Sequence, residues 1–101
     1  MGTREITWSK QSIEDRIQIL DFWYYHNKSI DYSLKLDLLF IKTVEKIKAF
    51  PFSCKMLLNT NYRIKIVRNY HIVYEIIEES IFIITIWDSR QDPNKLYLKI
   101  E

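Results

Sequence analysis

Hydrophobic and polar positions repeat along the chain with two periods, first that of helices and later that of strands. Residues 5–8 alternate with period two and predict a short first strand. Ser9 or Ser12 then supplies the N-cap of a helix that ends near residue 27. Spacings of four, three and four residues give this helix one apolar face, made of Ile13, Ile17, Leu20 and Tyr24.

A second helix is predicted from Asp31, which can act as its cap, to Phe50, because Pro51 cannot continue a helix. Its apolar positions form two stripes rather than one. The first stripe contains Leu36, Leu39, Phe40, Thr43, Ile47 and Phe50. The second contains Leu34, Leu38, Ile41 and Val44. A helix that is apolar on more than one side packs against two layers or against a partner.

From residue 57 onward the pattern changes to that of strands. Strands are predicted over residues 62–66, 70–77 and 81–87. Arg68-Asn69 is the centre of the first turn, since Asn tolerates the left-handed conformation, and residues 78–80 form the second. The last of these strands is apolar on both sides, which is typical of a strand covered on both faces.

The chain therefore predicts a single α+β domain over residues 1–101 with the order β-α-α-β-β-β. The two helices are joined by a short loop and form a hairpin that covers one face of an antiparallel sheet. Asp92-Pro93 suits the start of a short helix over residues 93–99. Leu96, Leu98 and Ile100 also alternate, so a strand there is the alternative.

The amino-acid composition excludes several kinds of functional site. A length of 101 residues allows one core, and one Gly and two Pro exclude a Gly-rich phosphate loop. Cys54 is the single cysteine, which excludes an intrachain disulfide and a zinc site built from cysteines. His26 and His71 are far apart, so neither a metal nor a cofactor is expected. No apolar stretch approaches membrane-spanning length and the start lacks a signal peptide, so we expect a cytoplasmic protein with no membrane partner.

The net charge of +2 is unevenly distributed. The stretch from Lys42 to His71 carries seven basic residues against Glu45 alone, so it bears +6 and the rest of the chain bears −4. Such asymmetry favours a basic face that meets an acidic partner or a nucleic acid. The simpler interpretation is a solvated surface.

Basic side chains on the predicted strands and at their ends would suit one class of reaction, the cleavage of RNA without a metal. Cleaving RNA without a metal needs a base for the 2′-hydroxyl, a cation beside the charged phosphorane and an acid for the leaving oxygen. The cation could be Arg63, Arg68 or Arg90. The base could be His71, Lys65 or Glu75, and the acid Tyr97 or His71. The alternative for Arg63 and Lys65 is the ordinary polar alternation of a half-exposed strand.

Three segments carry a family resemblance: residues 6–9, 63–74 and 84–93. Together their Ile-Thr-Trp-Ser, Arg-turn-Tyr-x-Ile-x-Tyr and apolar strand ending near Arg-x-x-Pro resemble the RelE/ParE superfamily of toxins from type II toxin–antitoxin pairs. The resemblance covers nearly the whole chain. It implies a toxin that arrests growth and is held inactive by a cognate antitoxin, in a toxin–antitoxin hetero-oligomer. RelE-like members cut mRNA on the ribosome, whereas ParE-like members act on DNA gyrase.

The resemblance also suggests site residues. An Arg at the end of the last strand and a Tyr two turns later match Arg90 and Tyr97, and Arg68 or Lys65 matches a basic residue near the preceding turn. Contacts with RNA or with another target are predicted for Lys55, Arg63 and His71. Lys55 is the single counterpart of a lysine pair that RelE-like toxins carry. The second helical stripe, through Leu34, Leu38 and Ile41, suits an antitoxin. Three functions remain open: a ribosome-dependent endoribonuclease, a non-enzymatic gyrase inhibitor, and a non-toxic relative that only binds an antitoxin or regulates its operon.

Overall fold

A computed structural model describes residues 4–100 as a five-stranded sheet with helices on both sides. The strands are β1 (Glu5–Trp8), β2 (Lys55–Met56), β3 (Tyr62–Val67), β4 (Tyr70–Ile77) and β5 (Ser80–Asp88). The helices are α1 (Lys10–Asn27), α2 (Asp31–Ala49) and α3 (Pro93–Ile100). The predicted α+β class is confirmed, with the elements in the expected order.

The strands lie in the order β1-β5-β4-β3-β2. β2 to β5 pair antiparallel, whereas β1 joins β5 in parallel, with Glu5 opposite Ser80 and Trp8 opposite Ile83. The sheet is therefore mixed at one edge. The helical hairpin carries the chain from β1 at this edge to β2 at the opposite edge. The sequence pattern does not predict β2, since two residues leave no periodic signal.

Both tight turns of the meander hold a non-glycine residue in the left-handed region. Arg68 has φ 54° between β3 and β4, and Glu78 has φ 54° between β4 and β5. The first turn is where the sequence predicts it, but its left-handed residue is Arg68 rather than Asn69. Val67 pairs with Tyr70, so a two-residue turn needs a positive φ at its first position whichever residue stands there.

The hairpin face of the sheet, which packs against α1 and α2, carries the main core. Leu36, Phe40 and Ile47 of α2 are fully buried there. They pack in one cluster with strand residues that include Ile72, Tyr74, Ile81 and Ile83. This confirms most of the first predicted stripe of α2. Phe50 is the exception at 68% exposed, because α2 ends at Ala49 and Phe50 leaves the helical path as its C-cap.

The opposite side of the sheet, the α3 face, is smaller and is covered by α3. Leu96 and Ile100 of α3 pack with Val73 and Trp87. The short helix predicted over residues 93–99 is confirmed and the alternative strand is wrong. The Asp92 carboxylate accepts a hydrogen bond from the Asn94 backbone N–H at 3.0 Å, which favours a helical start.

α1 packs through only one residue of the apolar face that its sequence predicts, Leu20, which is half-buried against the core. Ile13, Ile17 and Tyr24 are exposed, whereas Ser12 and Asp15 are buried. Ser9 is the N-cap: its hydroxyl accepts from the Ser12 backbone N–H at 3.0 Å. The capping alternative at Ser12 is therefore wrong.

α2 also starts differently from its prediction. Its N-cap is Ile30, which makes no side-chain capping bond, and Asp31 is the first helical residue. An acidic side chain in the first turn still favours the helix through its dipole.

Candidate functional site

A groove of about 300 Å³ opens at the carboxyl end of β5. α1, the β5 end, the following loop and α3 each contribute to its lining. The polar and charged side chains in it are Asp15, Gln18, Tyr70, Asp88, Arg90, Gln91 and Lys99. Of the residues predicted as catalytic, Arg90 lines this groove.

Arg90 is held by a carboxylate two residues before it. Its Nε and one terminal nitrogen donate to the two oxygens of Asp88 at 2.9 and 2.7 Å, and its backbone N–H donates to Asp88 at 2.9 Å. These hydrogen bonds from Arg90 lower the pKa of Asp88, so the carboxylate stays ionised. The guanidinium is exposed but already engaged in a two-point pair, the geometry in which it would otherwise grip a phosphate.

Asp15 is the deepest charge in the groove. It accepts from the Thr85 hydroxyl, from the Ile86 backbone N–H at 3.3 Å and from Gln11 at 2.9 Å. Lys99 of α3 donates to the same carboxylate at 2.7 Å. One buried carboxylate therefore joins α1, β5 and α3, and its hydrogen-bonding capacity is filled.

Tyr70 forms the wall of the groove nearest the hairpin face. Trp23 of α1 donates its indole N–H to the Tyr70 hydroxyl at 2.8 Å. Burial raises the pKa of Tyr70, so the phenol is protonated at neutral pH. It is thus a fixed, neutral group between α1 and the sheet.

Tyr97 lies apart from Arg90. It lines a second groove, of about 330 Å³, with Tyr62 and Glu75. Tyr97 and Lys99 are on opposite flanks of α3, since two residues on a helix differ by about 200°. The structure does not bring the predicted cation Arg90 and the predicted acid Tyr97 into one groove.

The other two residues predicted as catalytic also lie elsewhere. Lys65 is half-buried on the hairpin face of β3 and lines a small groove beside Lys46 of α2. Arg68 is exposed on the β3–β4 turn. Asn69 of that turn accepts from the Ser89 backbone N–H at 2.8 Å, which places the turn at the same end of the sheet as Arg90.

The three predicted target contacts fall on different sides of the sheet. Arg63 is on the hairpin face, where it donates to the Cys54 carbonyl at 2.7 Å and lies 5.3 Å from the Phe52 ring. Lys55 pairs with Ile64 and His71 pairs with Trp87, so both are on the α3 face. Burial lowers the pKa of His71, so its ring is neutral at pH 7 and adds no positive charge.

The outer face of the hairpin, turned away from the sheet, is apolar and exposed. Leu34, Leu38 and Ile41 of α2 are 54%, 58% and 41% exposed. Ile13 and Ile17 occupy the corresponding side of α1. Across the helix contact, Arg16 donates to Asp37 at 2.6 Å and the Ser33 hydroxyl donates to the Leu20 carbonyl at 2.7 Å. The two apolar rows therefore flank one seam.

Sequence reasoning missed Asp15 and Lys99. A signal for Asp15 was present, because Ser12, Asp15, Ile19 and Trp23 share helical spacing. Nothing in the sequence indicated that a lysine 84 residues later would reach it.

The described residues, 4–100, offer neither a metal-binding cluster nor a membrane-spanning helix. Within them, no three His, Cys, Asp or Glu side chains cluster as a metal site would require. None of the three described helices has the length and apolarity needed to cross a membrane.

Comparison with known proteins gives a family and a fold. Residues 6–93 match the sequence model of a family described as the ParE toxin of the type II toxin–antitoxin system, parDE. A chain from the chromosomal ParDE TA system of P. aeruginosa superimposes with a TM-score of 0.72. It is 15% identical, and the match covers 83% of this chain and 94% of that one. At this identity the likeness shows a shared fold. No curated protein matches the sequence.

Proposed function

The chain belongs to the ParE toxin family of type II toxin–antitoxin systems, and from that premise we propose that it arrests growth by binding DNA gyrase without catalysis. A cognate antitoxin neutralises it in a hetero-oligomeric complex, and both proteins act in the cytoplasm, where gyrase and its DNA are found. ParE-like members act on DNA gyrase, and membership of this family supports gyrase as the target.

The separation of Arg90 and Tyr97 is the observation that favours inhibition by binding over cleavage of RNA. An endoribonuclease needs its cation and its acid around one phosphate. Arg90 lines one groove and Tyr97 another, with α3 between them. Arg90 also gives its Nε and one terminal nitrogen to Asp88, so a phosphate would have to use its remaining N–H donors or compete with a two-point carboxylate pair.

The outer face of the hairpin supports the antitoxin contact. An exposed apolar surface of this kind is typical of protein interfaces. The two rows, Leu34–Leu38–Ile41 on α2 and Ile13–Ile17 on α1, leave a seam that suits the apolar side of an amphipathic helix.

Pulse-labelling after induction of this chain alone in bacteria tests the target. We expect thymidine incorporation to fall before amino-acid incorporation, followed by a DNA-damage response. Purified protein should also inhibit gyrase supercoiling in the absence of ribosomes. Arg90→Ala and Tyr97→Phe should each retain toxicity, because neither side chain would carry chemistry.

Other outcomes would select the competing functions. If amino-acid incorporation falls first and both substitutions abolish toxicity, the protein is a ribosome-dependent nuclease. If neither incorporation changes, it is a non-toxic relative that binds an antitoxin or regulates its operon.

The antitoxin surface is tested with a matched pair of leucines. Leu38→Glu places a charge on the outer hairpin face, whereas Leu98→Glu places one on α3, where the native side chain is 70% exposed. With the adjacent gene's product co-expressed, the Leu38 variant should remain toxic and the Leu98 variant should be neutralised. Neutralisation of both variants would contradict the proposed surface.

A further inference from the structure

A row of lysines follows one flank of α2. Lys35, Lys42 and Lys46 are spaced by seven and four residues, so they lie on one side of the helix, about 10 and 6 Å apart along its axis. All three are exposed. The opposite flank carries Asp37, which pairs with Arg16 of α1, so the lysine row faces away from α1.

β3 extends this row on the neighbouring part of the sheet. Lys65 lines a groove of about 250 Å³ together with Lys46. Arg68 is exposed at the far end of β3, next to Tyr70, whose ring lies 5.6 Å from that of Phe40 in α2. We call these five cations the basic flank: Lys35, Lys42, Lys46, Lys65 and Arg68.

The charges of the basic flank are not neutralised within the protein. Over residues 4–100 the ion pairs use Arg16, Arg90 and Lys99, and none uses a member of the flank. Asp31 and Glu45 are the acidic residues of α2 nearest the row, and neither lies within ion-pair distance of it. Four of the five cations are exposed and Lys65 is half-buried, and together they form one electropositive strip.

The composition of the strip indicates what it binds. Lysines act as point charges and phosphate partners, whereas a protein interface usually centres on buried aromatic or aliphatic anchors. A single-stranded nucleic acid would need a row of stacking rings. The exposed aromatic ring that lines the groove with Lys46 and Lys65 is Phe50, at one end of the strip.

A straight row of about 16 Å on a rigid helix matches the continuous charge of a duplex backbone, which carries one phosphate per roughly 1.7 Å of axis. We propose that the basic flank binds the phosphate backbone of duplex DNA without reading its sequence. This activity goes beyond gyrase binding and is independent of it, because it can be measured with DNA alone.

Fluorescence anisotropy with a labelled 25-base-pair DNA of arbitrary sequence tests the proposal. The purified full chain is titrated at 50, 100 and 200 mM NaCl. Five phosphate contacts predict a slope of log K against log salt between about −4 and −5, which weakens binding roughly 500-fold over this range. Changing the DNA sequence should leave the affinity unchanged.

A matched pair of double variants locates the contact. Lys42→Gln with Lys46→Gln should make the slope shallower by about 2. Lys10→Gln with Lys95→Gln removes the same charge from exposed positions on α1 and α3, and should leave the slope unchanged. Far-UV circular dichroism checks that both doubles remain folded.

Three results would overturn the proposal. The first is no binding at 50 mM NaCl, and the second is equal loss in both double variants, which would indicate attraction to the whole chain. The third is tighter binding to a polyglutamate peptide or to duplex RNA than to duplex DNA, which would assign the flank to a different partner. None of these results bears on gyrase inhibition, which the supercoiling assay measures separately.

Discussion

The two helices of the hairpin differ in the side chains that they bury most deeply against the same sheet. α2 buries Leu36, Phe40 and Ile47 and exposes its second apolar row. The most buried residues of α1 are Ser12 and Asp15. Ile19, Leu20 and Trp23 are half-buried against the core, and most of the face that the apolar spacing predicts is exposed. The orientation of α2 follows its predicted apolar face, and that of α1 departs from it.

The difference follows from what lies beneath each helix. α2 packs on strands whose apolar side chains project from paired backbone. α1 lies over the edge of β5, where β1 pairs only as far as Ile83. Beyond that point Ser9 donates to the Ile84 carbonyl at 2.7 Å, and Asp15 accepts from the Ile86 N–H. Buried backbone groups must be paired, so polar side chains share with apolar ones in setting which face α1 turns inward.

The largest expected effect is in α2. Phe40→Ala removes a fully buried ring and should lower the free energy of unfolding by about 3–5 kcal/mol. Leu38→Ala, two residues away and 58% exposed, should change it by less than about 1 kcal/mol. Urea denaturation measures both, and similar losses would contradict the assigned faces.

Asp15→Ala tests whether polar contacts hold α1 as firmly. The change leaves the Thr85 hydroxyl, the Ile86 N–H and Lys99 without their acceptor, and should cost about 3 kcal/mol in urea denaturation. Asp21→Ala, at an exposed position of the same helix, is the control. A loss below about 1 kcal/mol would mean that α1 is held by its apolar contacts after all.

Ser9→Ala removes the N-cap of α1 and the bond from its hydroxyl to the Ile84 carbonyl. We expect a loss of about 1–2 kcal/mol in thermal or urea unfolding. Ser9→Thr should recover much of it, because the hydroxyl is retained. If Thr recovered nothing, the hydroxyl would not be the source of the stability.

The smallest effect is expected on the exposed row of α1. Ile17→Ser should alter the free energy of unfolding by no more than about 0.5 kcal/mol, since Ile17 contributes little to the core. Ile19→Ser, at a half-buried position that packs on the core, should cost clearly more. The reverse order would restore the face predicted from the sequence.

The contrast between the helices also marks what the sequence can predict. Period-two and helical spacing place all the long elements, and Pro51 ends α2 within one residue of its prediction. The predicted second stripe contains Leu34, Leu38, Ile41 and Val44. The first three are exposed, whereas Val44 is buried in the main core, so the prediction is wrong for Val44.

What spacing cannot predict is the pairing of distant groups. Arg90 and Tyr97 are seven residues apart, and the sequence predicts that they form one site. The turn of α3 places Tyr97 in another groove. Asp15 and Lys99 form a contact because β5 and α3 bring them together. Neither residue is recognisable from the sequence as part of a pair. α1 exposes apolar positions and buries polar ones where it covers the edge of β5 that β1 leaves unpaired. No local sequence pattern indicates such an edge.

The parallel pairing of β1 with β5 has a consequence for the time at which the protein becomes native. β1 is made well before its partner, which spans Ser80–Ile83, and the acceptor and donor groups for α1 follow at residues 84–86. At a synthesis rate of roughly 5–20 residues per second, these early segments wait several seconds for their partners. Contacts so distant in sequence also form slowly. A growing chain therefore remains without its native hairpin–sheet contact until residues 80–86 have been made, so the completed fold cannot arise before then.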